Sequence, residues 1–295
     1  MSPLSLALSR RPLVPIRAWL LLGLALAGGV VLAVVGPGAI KPLYVLSGAL
    51  VGVLVGLTGV GGGSLMTPLL ILAFGFHPTS AVGTDLLFAS ATKAVGTGVH
   101  SANKTVEWPL VRRMALGSVP ATVLTVIALR VWHFSGDKAA HPLSVALGVV
   151  LVLTAASLLL RDQLARLAQA RTPELPQATA AALTVGLGAL LGVLITLTSV
   201  GAGALGVTLL VFLYPRMPIA RIVGSDIVHA VPLTLIAGAG HWAMGSVDLK
   251  LLASLLFGSI PGIVVGSSLT PRMPQGALRV ILATVLVLVG IKLVA

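Results

Sequence analysis

Gly56-Leu57-Thr58-Gly59-Val60-Gly61-Gly62-Gly63-Ser64-Leu65-Met66-Thr67-Pro68 lies in the middle of an apolar run from about Tyr44 to Phe76. Glycine is the poorest helix former after proline, so the cluster breaks a helix that the flanking apolar residues favour. Unbroken, the run would form a helix of about 48 Å, against a bilayer core of about 30 Å. Broken, it yields two pieces of roughly 22 Å each. The second piece then points the unpaired N–H groups of its first turn, and the positive end of its dipole, at whatever lies beside the break.

The stretch occurs twice. Thr196-Leu197-Thr198-Ser199-Val200-Gly201-Ala202-Gly203-Ala204-Leu205 repeats it at an offset of 140. At an offset of 141 the correspondence continues: Gly83-Thr84-Asp85 with Gly224-Ser225-Asp226, His100 with His241, Val106-Glu107 with Val247-Asp248, and Gly117-Ser118-Val119-Pro120 with Gly258-Ser259-Ile260-Pro261. Shared composition would not hold one offset over so long a stretch, so the chain divides into two structural repeats, 44–160 and 178–295. Residues 1–43 form a basic N-terminus with an extra apolar segment at 18–36, expected to be an uncleaved transmembrane helix. Residues 161–177, carrying Arg161, Arg166, Arg171, Pro173 and Pro176, read as a polar linker.

Composition sets the class. The chain is 57% hydrophobic and only 9% charged, with a mean hydropathy of +1.09 over 295 residues. That is too little charge to cover a soluble surface, and it defines an all-α, polytopic membrane protein. Long unbroken apolar runs exclude a β-barrel. The absence of cysteine excludes disulfides, thiolate metal sites and cysteine catalysis. A net charge of +12 orients loops rather than indicating nucleic acid.

Beyond the broken segments, spans are expected near 79–101, 109–131, 142–160, 219–241, 249–270 and 276–294. With the N-terminus cytoplasmic and each broken segment a hairpin, the 19 Lys and Arg residues divide as 13 inside, 5 outside and Lys93 within the membrane. If each broken segment instead crosses once, the division is 9 and 9. The positive-inside rule selects hairpins. Each repeat is then a Gly-broken helical hairpin plus three transmembrane helices, and the repeats are inverted. The hairpin tips face each other near the midplane, a recurrent arrangement in secondary transporters.

The candidate chemistry gathers at these tips. Glycine-rich N–H groups at a helix start bind anionic oxygens without a formal charge. Close packing of helices through small residues is the bland alternative. The candidate substrate-binding residues are Thr58, Gly61, Gly62, Gly63 and Ser64 from the first tip, Thr198, Ser199, Gly201 and Gly203 from the second, and Lys93. Lys93 lies mid-span and costs about 3 kcal/mol to insert unless partnered. Its repeat counterpart is Thr234, so the charge belongs to one half alone. Asp85 and Asp226 read either as proton sites in a wet cavity or as helix-start acids capped by Thr84 and Ser225. His229, three residues beyond Asp226, joins them as a proton-coupling candidate. His100 and His241, at span ends, read as interfacial. No metal-ligand spacing, phosphate loop or nucleophile–base pair is present, so neither a cofactor nor enzymatic activity is expected.

Gly-Val-Gly-Gly-Gly-Ser with Pro68 following, Ala-Val-Gly-Thr at 81–84, His100 before Val-Glu-Trp at 106–108, and Gly-Ser-Val-Pro at 117–120 resemble the TauE/SafE sulfite-exporter-like family of bacterial membrane transporters. The resemblance covers about 44–290. It implies movement, often outward, of sulfite or related organosulfur anions across the inner membrane. The chain carries Asp85 and Asp226 where the family pattern has serine, and Lys93 and His229 look like subfamily features. The expectation is therefore a proton-coupled secondary transporter of a small sulfur-containing oxyanion, working by rocking of one repeat against the other. Its partners are the substrate and the lipid bilayer, with a homodimer allowed and no nucleic acid. A passive anion channel and a non-transporting scaffold subunit are the rival readings.

Overall fold

The computed structural model describes residues 40–58, 63–102, 104–132, 137–170, 175–269 and 275–295. Ten helices and no strand occur among the described residues. They are α1 (Pro42–Thr58), α2 (Gly63–Leu72), α3 (Pro78–Ala102), α4 (Trp108–Val131), α5 (Asp137–Gln169), α6 (Gln177–Thr198), α7 (Ala204–Leu213), α8 (Ile219–Ala243), α9 (Leu249–Leu269) and α10 (Gln275–Val294). The extra apolar segment at 18–36 lies outside the described residues.

Six of the helices, α4, α5, α6, α8, α9 and α10, are long and apolar enough to cross a membrane. α3 has 25 residues but does not join them, because its sequence carries Thr84, Asp85, Ser90, Thr92 and Lys93. Ser90, Thr92, Thr84 and Asp85 are all buried, so that polarity is turned inward. α5 continues to Gln169, into the stretch whose charge reads as a linker. Arg161-Asp162-Gln163-Leu164-Ala165-Arg166 are good helix formers with no glycine or proline among them, so the helix has no reason to stop at the lipid boundary.

The second glycine stretch breaks a helix; the first, at 59–62, lies outside the described residues between α1 and α2. α2 and α7 have ten residues each, about 15 Å, half a bilayer core. At the second break the chain reverses. A Cβ built on Gly201 would meet Ile195 and Leu191, and one on Gly206 would meet Leu191, so α7 runs back along α6.

Glycine seams fix the helix directions. Gly48 and Gly52 of α1 press on the Leu255 and Ser259 backbones, and Gly258, Gly262 and Gly266 press back on Val45, Ala49 and Val53. The numbers rise together, so α1 and α9 are parallel. Gly188 and Gly192 of α6 meet Met114 and Ser118, while Gly117 meets Val185, so α4 and α6 are parallel too. Backbone approach this close is possible only without side chains between. α3 runs antiparallel to α8, with Gly83 at His241, Leu87 at Gly238 and Ser90 bonded to the Val231 carbonyl. Gly148 and Gly290 face each other across α5 and α10, and each also meets a residue beyond the other's (Val294 and Val152), an antiparallel crossing. Leu116, Leu124 and Ile127 of α4 and Ile281, Leu288 and Ile291 of α10 stay exposed, as a lipid-facing surface requires.

Candidate functional site

The end of α6 is built by its own hydroxyls. Thr196 and Thr198 donate to the Gly192 and Leu194 carbonyls, each at 2.6 Å, and the Val200 amide donates to Thr198 Oγ1 at 3.1 Å. Thr198 is thus spent on shaping the turn. Ser199 follows in the left-handed conformation, φ 60°, and Gly203, φ 106°, precedes the first residue of α7. Among the described residues, no hydrogen bond takes up the Ala204 and Leu205 amides, as expected for a helix start.

The start of α2 meets this turn. A Cβ on Gly63, the first residue of α2, would stand 2.0 Å from the Ser199 carbonyl oxygen. Only glycine lets the start of α2 touch the turn between α6 and α7. Ser64 is buried beside it. Gly61 and Gly62 lie outside the described residues, as does the side chain of Thr58.

Asp85 reaches this contact from α3. It is fully buried, accepts a hydrogen bond from the Thr67 hydroxyl on its Oδ2, and faces the Ser199 hydroxyl. Its Oδ1 has no partner among the described residues. Asp226 occupies the equivalent place on α8. It is buried against Gly206, where an added Cβ would lie 2.4 Å from Oδ1, and faces the Gly203 amide. Neither of its oxygens closes a hydrogen bond among the described residues. The positive end of α7 therefore already looks at a carboxylate belonging to the chain itself.

Thr84 and Ser225 do not cap helices, because α3 and α8 begin well before them, at Pro78 and Ile219. Each hydroxyl instead accepts a backbone N–H from the opposite half: Thr84 from Asp248 at 3.0 Å and Ser225 from Glu107 at 2.8 Å. The residue before each aspartate thus ties its helix to the other repeat.

Lys93, on α3, lies within electrostatic reach of both Asp226 and Asp85. No salt bridge closes on it among the described residues. Its counterpart Thr234 merely donates to the Ala230 carbonyl at 2.8 Å. His229 turns to Ser118 of α4, Nε2 to Oγ at 2.7 Å, and its Nδ1 is unpartnered among the described residues. His241 is not interfacial. It is buried, and its Nε2–H donates to the Thr196 carbonyl at 2.9 Å, just before the second turn.

The structure thus brings together Gly63, Ser199 and Asp85 on one side and Gly203 and Asp226 on the other, with Lys93 in the field of both acids. Gly201 shapes the turn at φ 129°. Sequence reading gave no role to Thr67 and Ser118 and put His241 at the interface, although each sits in a repeated motif: Thr67 mirrors Thr208, Ser118 mirrors Ser259 and His241 mirrors His100. No group of three or more metal-ligating side chains occurs among the described residues.

A multi-pass helical protein with broken helices meeting over buried ionisable groups is built as a membrane transporter rather than an enzyme. Residues 43–293 match the family "Sulfite exporter TauE/SafE", and the chain belongs to that family. It is 41% identical over 251 residues to "Probable membrane transporter protein YjnA" of Bacillus subtilis, covering 85% of this chain and 98% of that protein. It is 27% identical over 239 residues to "Probable membrane transporter protein YdhB" of the same organism, covering 80% and 93% respectively. No solved structure matches the chain.

Proposed function

We propose that the protein is a proton-coupled secondary transporter that exports a small sulfur-containing oxyanion, sulfite or an organosulfonate, across the bacterial inner membrane. The observation that carries this reading is Lys93 in the field of two buried aspartates, beside the contact of Gly63 with the Ser199 turn. In this reading the division into repeats at 44–160 and 178–295 is an inverted one, supported by the antiparallel runs of α3 against α8 and α5 against α10. The N-terminus is cytoplasmic, by the charge distribution.

The electrostatics explain the coupling. Two ionised aspartates around one lysine leave a negative site, which repels an anion in a medium that screens poorly. Protonation of Asp226 releases the start of α7 from its internal carboxylate. The substrate then takes the Ala204 and Leu205 amides and the charge of Lys93. Asp85 acts likewise against the first hairpin, with Gly61, Gly62 and Thr58 as its expected donors, while Ser64 and Ser199 supply hydroxyls and Gly63 the close approach. Return of the proton to the other side resets the site. His229, held by Ser118, is the relay between Asp226 and α4.

Flux in proteoliposomes tests this with sulfite, thiosulfate, sulfoacetate, sulfate and chloride, with and without a pH gradient. The expected result is saturable counterflow of one or more sulfur oxyanions, driven by the gradient, and lost at least tenfold in Lys93→Gln. Unsaturable flux of every anion would establish a passive channel instead, and native flux in Lys93→Gln would remove that residue from the site.

A further inference from the structure

A cavity lies away from the Gly63–Ser199 contact, at the membrane face where α4 and α8 begin. It encloses about 610 Å³ and is lined by Glu107, Arg113, Gln177, Tyr214, Arg216 and Arg221, among others. Three guanidinium groups and one carboxylate share this lining with apolar residues such as Leu175, Phe212 and Met217. The carboxylate is engaged: Arg221 and Glu107 form an ion pair between the two halves. Arg113 is held in place, its Nη1 donating to the Tyr214 hydroxyl at 3.4 Å, and that hydroxyl pairs with Thr184 Oγ1 at 2.7 Å. Arginine presents several N–H donors in a rigid fork suited to oxyanions, which lysine does not.

The lining is one-sided. At the repeat offset of 141, Arg113 corresponds to Ser254, Arg216 to Gly75 and Arg221 to Ser80, so the opposite mouth carries no arginine at these positions. Charge placed only to orient the chain during insertion needs no common wall, whereas Arg113, Arg216 and Arg221 line one concavity beside a hydrogen-bonded tyrosine. The wall is also joined to the deeper site: the Glu107 amide bonds Ser225, the neighbour of Asp226, and Ser225 donates to the Arg221 carbonyl at 2.7 Å.

We propose that this arginine-lined vestibule is an anion-capture site that concentrates a small oxyanion at one face before it reaches the midplane. The inference rests on the anion-transport reading above and adds the side from which substrate is loaded. Focused positive potential raises the on-rate of an anionic ligand, so capture matters when substrate is scarce and fades at saturation or high salt.

The test uses the full chain in vesicles of neutral lipid and in vesicles containing anionic lipid, with labelled sulfite supplied to one face at a time. In Arg113→Gln/Arg216→Gln, the initial rate from the vestibule face at low sulfite should fall roughly tenfold. The rate at saturation and the rate from the opposite face should stay native, and the salt dependence of the wild type should flatten. Equal slowing from both faces, or none, overturns the proposal. A difference seen only with anionic lipid assigns the cavity to a lipid phosphate and overturns it as well. Binding is read separately, as the thermal shift that sodium sulfate produces in detergent. A shift in the wild type that the double variant lacks upholds the vestibule even if the vesicles move no anion, in which case it is the transport reading that fails. Absence of any shift in both proteins counts against capture.

Discussion

Asp85 and Asp226 hold equivalent positions in the two repeats yet have different company. Asp85 accepts from Thr67, whereas the equivalent Thr208 gives its hydroxyl to the Ser157 carbonyl and leaves Asp226 without a hydrogen bond among the described residues. Burying an ionised carboxylate without partners is costly, so neutralising Asp226 removes a burden that Thr67 already eases at Asp85. Asp226→Asn fixes the neutral state. It should leave folding intact while reducing the response of flux to a pH gradient at least tenfold, measured as initial rates with the gradient imposed or collapsed. Asp85→Asn should cost more stability, because the bond from Thr67 then falls from a charge-assisted to a neutral one, a difference of about 1 kcal/mol. Both aspartates were legible in the sequence because the repeat doubled them, and so was Lys93, because nothing in an apolar span excuses a lysine. The roles of Thr84 and Ser225 were not. A hydroxyl before an acid looks like a cap, and only the tertiary fold shows that its partner is an amide from the opposite half. His241 was misplaced for a related reason. It closes an apolar run in the chain, but the second turn folds over it.

At the scale of helices, the second break was readable from glycine content alone, and the reversal of the chain there followed from where positive charge falls. The unequal arms were not readable, because α6 is twice as long as α7 and only packing decides where the turn sits. Nor did the sequence distinguish glycines that shape a turn from glycines that permit contact. Gly63 is of the second kind. Gly63→Val should force α2 off Ser199 and lower the thermal midpoint in detergent, at a cost of roughly 1–3 kcal/mol for a side chain driven into packed backbone. Flux should be lost even where the protein is recovered folded. Gly186, with nothing near its absent Cβ, is the control: Gly186→Ala should be neutral in both measurements.

Across the whole molecule, the expectation that one repeat rocks against the other meets an obstacle in the glycine seams. α1 of the first repeat is pressed along α9 of the second, and α4 of the first along α6 of the second, with carbonyl oxygens standing where side chains would be. Contacts of that closeness do not slide, so each tight pair moves as one piece. The units that shift past one another are then hybrids, each drawing one helix from either half of the chain. The peptide between the halves is correspondingly dispensable. Two polypeptides, divided at the 171–174 stretch and produced together, should copurify as a stoichiometric pair and retain flux, whereas the same pair carrying Gly258→Leu should come apart. Cohesion between the halves thus resides in helices clasped like interlaced fingers, and the covalent join adds convenience to it.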